Sequence, residues 1–498
     1  MKNFFLEKDQ LFQQWMAHGF LQPPEGSSKL MEDIGNDNFH ILLQNSLFQD
    51  IEMNDYGIIT HCKMHDLVHD LAQSISKSEC FALETDMRVE IPRVRHLALY
   101  NNGDRIHTIQ EESAKKLRTL FLGSVVPENK LLNFRCLRVM NFCGAHIEEL
   151  PNSISTLVHL RYLDLSNTKI RVFPESVAKL YNLQTLTALN IWPFVEPPKE
   201  LRNLISLRHL YVDDNPELQM PLGMGKLTCL QTLPFFNVGQ DEGRLIEELG
   251  FLKNLRGNLK LCNPEHVGSR DEAHKADLSC KENIYNLKFE WSLLREDNNS
   301  DEGVLEGLQP SPYLKGLEIS SYAGNKFPSW TMRMAVSMDG DGALLPLNNL
   351  VKLKLVNSKR CEQIPMLGQL LLLRELELCR MDNIKCIGES FYGHHWNRLG
   401  TNHSGEEPEA LFPSLRIIKL CCMPNLEEWM EATDASIVPV FPCLESLEIF
   451  CCPQLKSAPS HFACLKELRY NTVNSGGALE KICSKLTTLT ELDIKHVS

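Results

Sequence analysis

The chain has 498 residues, 43% hydrophobic and 23% charged, with a formal net charge of −13. That is too much apolar material for a disordered chain and too long a chain for one ordinary core, so several domains or an array that grows by repetition is expected. Residues 1–90 carry net −9 and the remainder net −4; neither has the basic balance that a phosphate backbone demands, which excludes nucleic acid as the primary partner.

No basic region leads into an apolar stretch at the N-terminus, and no run of 18 apolar residues occurs, so neither a secretory signal nor a transmembrane segment is expected. The 17 cysteines are odd in number and scattered, which fits a reducing compartment. A cytoplasmic location follows, with nuclear or peripheral membrane association also compatible. Sequons at Asn298 and Asn402 have consequences only in a secretory lumen.

Residues 1–90 predict a small α+β domain. The segment from Leu11 to Phe20 predicts an apolar-faced helix ending near Gly19, and Pro23-Pro24 prevents its continuation. Leu30 to Leu43 predicts a second helix, Ser46 to Thr60 a hairpin and Met64 to Ile75 a third helix. Three helices with a hairpin make a winged-helix-like unit, which does not by itself imply nucleic-acid binding. His61, Cys62, His65, His69 and Cys80 match no strong zinc spacing, and ordinary packing with surface histidines is the plainer reading, so no metal is expected. His65 and Asp66 are adjacent, hence about 100° apart on a helix, and have no identifiable nucleophile beside them. No catalytic residue is expected.

From residue 91 a different pattern begins. Leu160-Arg-Tyr-Leu163-Asp-Leu165-Ser-Asn-Thr168 has related frames starting at Val94, Leu117, Leu137, Leu183, Leu207 and Leu230, separated by 23, 20, 23, 23, 24 and 23 residues. This is the leucine-rich-repeat period. Leu163 and Leu165 lie on one face of a short strand, and a neighbouring repeat must cover what one repeat cannot bury. The expected fold is an α/β leucine-rich-repeat solenoid with parallel strands on its concave face, regular over 91–255. The position eight after the first leucine faces the inner turn; it is Thr168, Asn215 or Cys452 in some repeats and Ala145, Ile191 or Met423 in others, which predicts irregularity.

Over 256–498 the spacing loosens, with strands expected near Arg256, Ile284, Leu314, Leu350, Leu373, Leu415, Leu444, Leu465 and Leu489. Insertions are expected at Val267 to Ser279, Arg295 to Gly303, Met332 to Leu345 and Tyr392 to Glu409, where the return path can vary without disturbing strand register. The outward strand positions make one long candidate protein-binding surface: Tyr162, Asp164, Ser166, His209, Tyr211 and Asp213, then Glu375, Glu377, Ser446, Glu448 and Phe450. Aromatic rings among charges suit an interface with an apolar centre and a polar rim.

Gln14-Trp15-Met16-Ala17-His18-Gly19-Phe20, followed by Met64-His65-Asp66-Leu67-Val68-His69-Asp70-Leu71-Ala72, resembles the end of the nucleotide-binding module of plant immune receptors of the coiled-coil NBS-LRR class. Leu160-Arg-Tyr-Leu-Asp-Leu-Ser, Pro174-Glu-Ser-Val and Asn425-Leu-Glu-Glu-Trp429 resemble the repeats of that family. The resemblance implies that His65 contacts an ADP phosphate, with Asp66 and Met64 supporting the inactive arrangement. It further implies that the repeats recognise a pathogen effector or a guarded host protein, and that NB-ARC and coiled-coil domains stand upstream. No G-x-x-x-x-G-K-[ST] occurs in the chain. No cofactor is therefore expected for this chain as it stands, whereas ADP or ATP with magnesium is implied for a full-length relative. A plant defence receptor or receptor fragment is the leading expectation. The alternatives are a fragment of an ADP/ATP-dependent switch ATPase whose phosphate loop lies upstream, or a non-catalytic leucine-rich-repeat scaffold.

Overall fold

The computed structural model describes residues 4–24, 26–83, 93–99, 109–123, 131–191, 196–215, 218–293, 301–332, 347–393, 410–432, 438–473 and 476–497. Asn298, Asn402 and most of the insertions expected around 295–303, 332–345 and 392–409 lie outside them. The chain forms two units, Met1–Pro234 and Phe235–Ser498.

The first unit opens with an antiparallel sheet of β1 (Phe5–Glu7), β2 (Phe48–Met53) and β3 (Ile59–Met64), with β3 in the middle. Three helices accompany it: α1 (Lys8–His18), α2 (Met31–Gln44) and α3 (Asp66–Ser76). α1 ends where glycine allows the turn. Gly19 has φ +84°, and its N–H and that of Phe20 donate to the Met16 and Trp15 carbonyls, each at 2.9 Å; a side chain would strain that left-handed backbone. Phe12, Met16, Leu21, Phe39, Phe48 and Cys62 form the core, with the Phe39 and Phe48 rings stacked at 5.3 Å. α3 contrasts with this packing. Its apolar residues Leu67, Leu71 and Ile75 recur every four positions on one face, yet are 74%, 61% and 73% exposed.

A parallel sheet follows in chain order: β4 (Cys80–Leu83), β5 (His96–Leu99), β6 (Thr119–Leu122), β7 (Val139–Asn141), β8 (Tyr162–Asp164), β9 (Thr185–Ala188) and β10 (His209–Val212). Leu160, Leu163 and Leu165 are fully buried, as the strand alternation demands. Few residues separate one strand from the next, so the convex return runs through short 3-10 turns such as Asn152–Thr156 and Glu175–Lys179. Thr168 Oγ1 donates to the Leu165 carbonyl at 2.7 Å and so closes the inner turn. Two details depart from the sequence reading. Cys80–Leu83, on the N-terminal side of residue 90, pairs in parallel with His96–Leu99 and is a strand of the repeat sheet. In the Leu230 frame only Thr232 bridges back, to His209, and the next strand starts at Phe235. Pro234 between them has no N–H to give to a ladder.

The second unit is built on a second parallel sheet. Its strands are β11 (Phe235–Asn237), β12 (Gly257–Cys262), β13 (Ile284–Glu290), β14 (Gly316–Ser320), β15 (Lys352–Val356) and β16 (Glu375–Cys379). After β17 (Cys386–Ile387), which belongs to a separate pair, come β18 (Ile417–Cys421), β19 (Glu428–Trp429), β20 (Ser446–Phe450), β21 (Glu467–Val473) and β22 (Glu491–Val497). β17 pairs with β19, and the others continue the long sheet. The segment expected as an insertion from Val267 holds a short helix, Arg270–His274, capped by Ser269. Behind the strands the core is aromatic. Trp291 and Tyr322 lie 5.3 Å apart, and Phe412 and Phe441 lie 4.9 Å apart. The Trp429 indole donates to Tyr392 OH at 3.0 Å, which in turn donates to the Met430 carbonyl at 2.7 Å. Cys452 takes the inner-turn position, its thiol 3.5 Å from the Phe450 carbonyl.

Candidate protein-interaction site

The residues singled out in the sequence fall in three places. At the end of the hairpin, Met64 packs against the small domain's core. His65 caps α3: its Nδ1 accepts from Leu67 N–H at 3.2 Å. With Nδ1 accepting, Nε2 is the ring nitrogen left to donate. Asp66 is the first helical residue and is exposed. His69 Nδ1 lies 3.3 Å from Asp70, and His61 Nδ1 lies 3.7 Å from Glu52. No three His, Cys, Asp or Glu side chains among the described residues converge as metal ligands.

The second place overturns an expectation. Tyr162, Asp164, Ser166 and His209 do face the concave side, but they are only 1%, 4%, 6% and 5% exposed. The open protein-binding surface expected at these four positions is corrected: helices of the small domain lie against Tyr162 and His209. Ala17 of α1 packs with Val139, Tyr162 and Phe121. Polar contacts run along the same seam. Gln10 Nε2 lies 3.5 Å from Tyr162 OH, and Gln13 Nε2 donates to Tyr211 OH at 3.0 Å. At the end of α1, Arg138 Nη1 donates to the His18 carbonyl at 2.5 Å, and His18 Nε2 is 3.1 Å from Thr119 Oγ1.

From α2, Glu32 accepts Arg208 Nε at 2.7 Å and Nη2 at 2.6 Å. His209 Nε2 lies 3.2 Å from the same carboxylate, close but off-line for a hydrogen bond. Burial would raise the Glu32 pKa, but the two hydrogen bonds and the charge of Arg208, with the His209 ring close by, outweigh it and hold the carboxyl well below its usual range. Burial dominates at Asp164, whose pKa is raised although Ser166 N–H, Tyr162 OH and Asn141 donate to it. Asp213 serves the neighbouring turn: its carboxylate accepts Asn190 N–H at 2.8 Å and Ile191 N–H at 3.2 Å.

The third place is the strand face of the second unit. Glu375 and Glu377 do not stand alone, since Lys352 and Lys354 on the adjacent strand reach them at 2.6 Å each. Their row continues in both directions. In register, Lys288, Glu318, Lys354, Glu377, Lys419, Glu448, Arg469 and Asp493 follow one another across eight strands. The sign of charge alternates at every step. Lys288 to Glu318 spans 2.9 Å and Arg469 to Glu448 spans 3.2 Å. Ser446 is buried and its Oγ donates to Glu467 at 3.3 Å. Phe450 is 44% exposed and sits in register with Cys421, beside the charged row. The lysines, Glu318, Arg469 and Asp493 went unnoticed in the sequence. Each is the central residue of an apolar-charged-apolar triplet, as in Leu353-Lys354-Leu355 and Leu376-Glu377-Leu378, but only strand register sets the triplets side by side.

Comparison with known proteins agrees with these parts. Residues 1–72 match the family described as disease resistance protein winged helix domain, and residues 246–381 match the R13L1/DRL21 leucine-rich repeats. The RPP13-like protein 1 of Arabidopsis thaliana is 33% identical over 479 residues, covering 91% of this chain and 43% of that protein. Disease resistance protein RGA2 of Solanum bulbocastanum is 33% identical over 509 residues, covering 99% of this chain and 47% of that protein. The chain thus spans less than half the length of these relatives. Among solved structures, a leucine-rich-repeat protein of Leptospira interrogans aligns over 83% of this chain and 99% of its own, at 16% identity and a TM-score of 0.46. No described helix is long and apolar enough to cross a membrane.

Proposed function

We propose that this chain, a member of the plant disease-resistance protein family, is the part of a defence receptor that recognises a partner and restrains the resting state, acting by binding rather than by catalysis. One observation carries the reading: α1 and α2 of the winged-helix domain cover the concave face of the first repeats and are fastened there by the buried Glu32–Arg208 pair. A surface already occupied by the chain's own helices is a resting contact. A partner, a pathogen effector or a modified host protein in the cytoplasm, has the strand face of the second unit to bind, where Phe450 is exposed beside the charged row. Displacement of the helices then releases the winged-helix domain to signal.

The test is charge reversal in the full-length receptor expressed in leaf tissue. Arg208→Glu is expected to trigger cell death without an elicitor, and Glu32→Arg combined with Arg208→Glu to restore quiescence. A quiescent single variant that still accumulates normally would refute the restraint.

A second reading, the regulatory end of a nucleotide-dependent switch, is favoured by His65. Its Nε2–H is free to donate at the N-terminus of an 11-residue helix, which suits a phosphate oxygen. ADP bound by an upstream module would supply that phosphate, with Met64 and Asp66 holding the turn. The exposed stripe of Leu67, Leu71 and Ile75 is the kind of face such a module would cover. ADP retained equally by a full-length His65→Ala variant would refute the phosphate contact.

A further inference from the structure

Successive repeats of the first unit place arginine at one recurring position, immediately before the strand: Arg95, Arg118, Arg138 and Arg161. Their backbones are directly bonded, with Arg118 N–H donating to the Arg95 carbonyl, Arg138 N–H to Arg118 and Arg161 N–H to Arg138, each at 2.8 Å. The side chains therefore repeat at the strand spacing of roughly 4.8 Å. Arg138 and Arg161 converge: a Cβ placed on Gly19 would lie 3.7 Å and 3.6 Å from their Nη1 atoms.

Arg95 has a partner, Glu79, at 3.3 Å. The other three have no carboxylate partner among the described residues, and all are half-buried. Burial, together with the charges of Arg161 and Arg118, makes the Arg138 guanidinium easier to deprotonate than usual. Among the described residues, the compensating contact is with the last turn of α1, where the His18 carbonyl accepts from Arg138. A helix C-terminus offers only about half a negative charge, against three guanidinium charges. The excess is what an anion would neutralise, and planar guanidiniums in a row match phosphate oxygens in forked pairs.

We propose that Arg118, Arg138 and Arg161 form a binding site for a linear polyphosphate, inorganic or carried by a nucleotide, at the edge of the repeat sheet beside Gly19. The site is separate from His65 and does not depend on which protein the repeats recognise. Guanidiniums on three consecutive strands favour a ligand with charges at several points along its length over a monoanion.

Isothermal titration of the whole chain at low salt with inorganic tripolyphosphate, with ATP and with a polyglutamate peptide tests the assignment. Saturable tripolyphosphate binding is expected, weakened by about tenfold or more in R118Q/R161Q and steeply by added salt. Tighter binding of ATP would assign the nucleotide form, and equal binding the bare polyphosphate. R138Q alone serves if the double variant melts early. As a separate readout, the ring of His18, next to the row, should take up its proton at higher pH when tripolyphosphate is present. The site is refuted by no saturable binding to the wild-type chain, by unchanged affinity in folded R118Q/R161Q and R138Q, or by polyglutamate binding as tightly as tripolyphosphate.

Discussion

The Glu32 carboxylate and the Arg208 guanidinium meet in a two-pronged pair, 2.7 and 2.6 Å, across 176 residues of chain, with side chains only 6% and 11% exposed. Removing one member strands a charge in a place that water does not reach. Glu32→Gln or Arg208→Met should each cost about 3–5 kcal/mol of docking free energy, while replacing both together by apolar residues should cost much less. Hydrogen exchange of the α1 and α2 amides reads the docking directly; single variants exchanging at the wild-type rate would contradict it.

Acid should loosen the same contact in two stages. Burial, then the charges of His96, Arg138, Arg118 and Arg161, lower the pKa of His18 from 6.5 to about 4. The folded chain thus prefers the neutral ring, and stability present above pH 6.5 is lost as pH falls from 6.5 toward 4. Because His18 is only partly buried, that stage should be worth on the order of 1 kcal/mol. Glu32 has a depressed pKa, so its contribution is present above its unfolded value near 4.3 and is lost only below that. Urea titrations across pH should show the first stage disappear in His18→Gln and the second persist.

In the aromatic core of the second unit, Tyr392→Phe removes one oxygen that serves two partners, the Trp429 indole and the Met430 carbonyl. Leaving buried polar groups without that partner should cost about 1–3 kcal/mol. Chemical denaturation followed by tryptophan fluorescence checks it, and a loss below about 0.5 kcal/mol would mean that the groups find other partners.

The charged row makes a prediction about sign. Lys419 lies in register between Glu377 and Glu448. Lys419→Glu would set three carboxylates side by side, at roughly 0.2–1 kcal/mol for each like-charged neighbour, whereas Lys419→Arg should be neutral. Melting temperatures at low and high salt discriminate, since salt should rescue only the glutamate variant.

Leu71→Ser on the exposed face of α3 should change the stability of this chain by no more than about 0.5 kcal/mol. A large loss in thermal denaturation would show that the stripe packs within the chain.

Much of the architecture could be read from residue order. The repeat leucines recur at nearly constant spacing because every strand must present the same face to its neighbour, and Gly19 marked the end of α1 through its backbone alone. The docking of α1 and α2 could not be read. Apart from Ala17, its contacts come from Gln10, Gln13, His18 and Glu32, polar side chains that leave no trace in an apolar periodicity, and their partners lie more than 100 residues away. The same blindness explains why Tyr162 and His209 looked available: alternation tells which way a side chain points but not what rests on it. The strand at Cys80–Leu83 escaped notice because it has no repeat leucine ahead of it.

The clasp between the small domain and the first repeats also acts as a gauge. His18 meets Thr119 on β6, and Glu32 meets Arg208 just before β10. Arrays of near-identical units gain and lose members when misaligned copies recombine. Losing one unit between Thr119 and Arg208 would bring the two anchors roughly 4.8 Å closer, and a rigid helical pair could no longer reach both. The number of repeats in this stretch is therefore locked by a distance measured elsewhere in the chain, while repeats past Arg208 escape that constraint and can multiply or diverge.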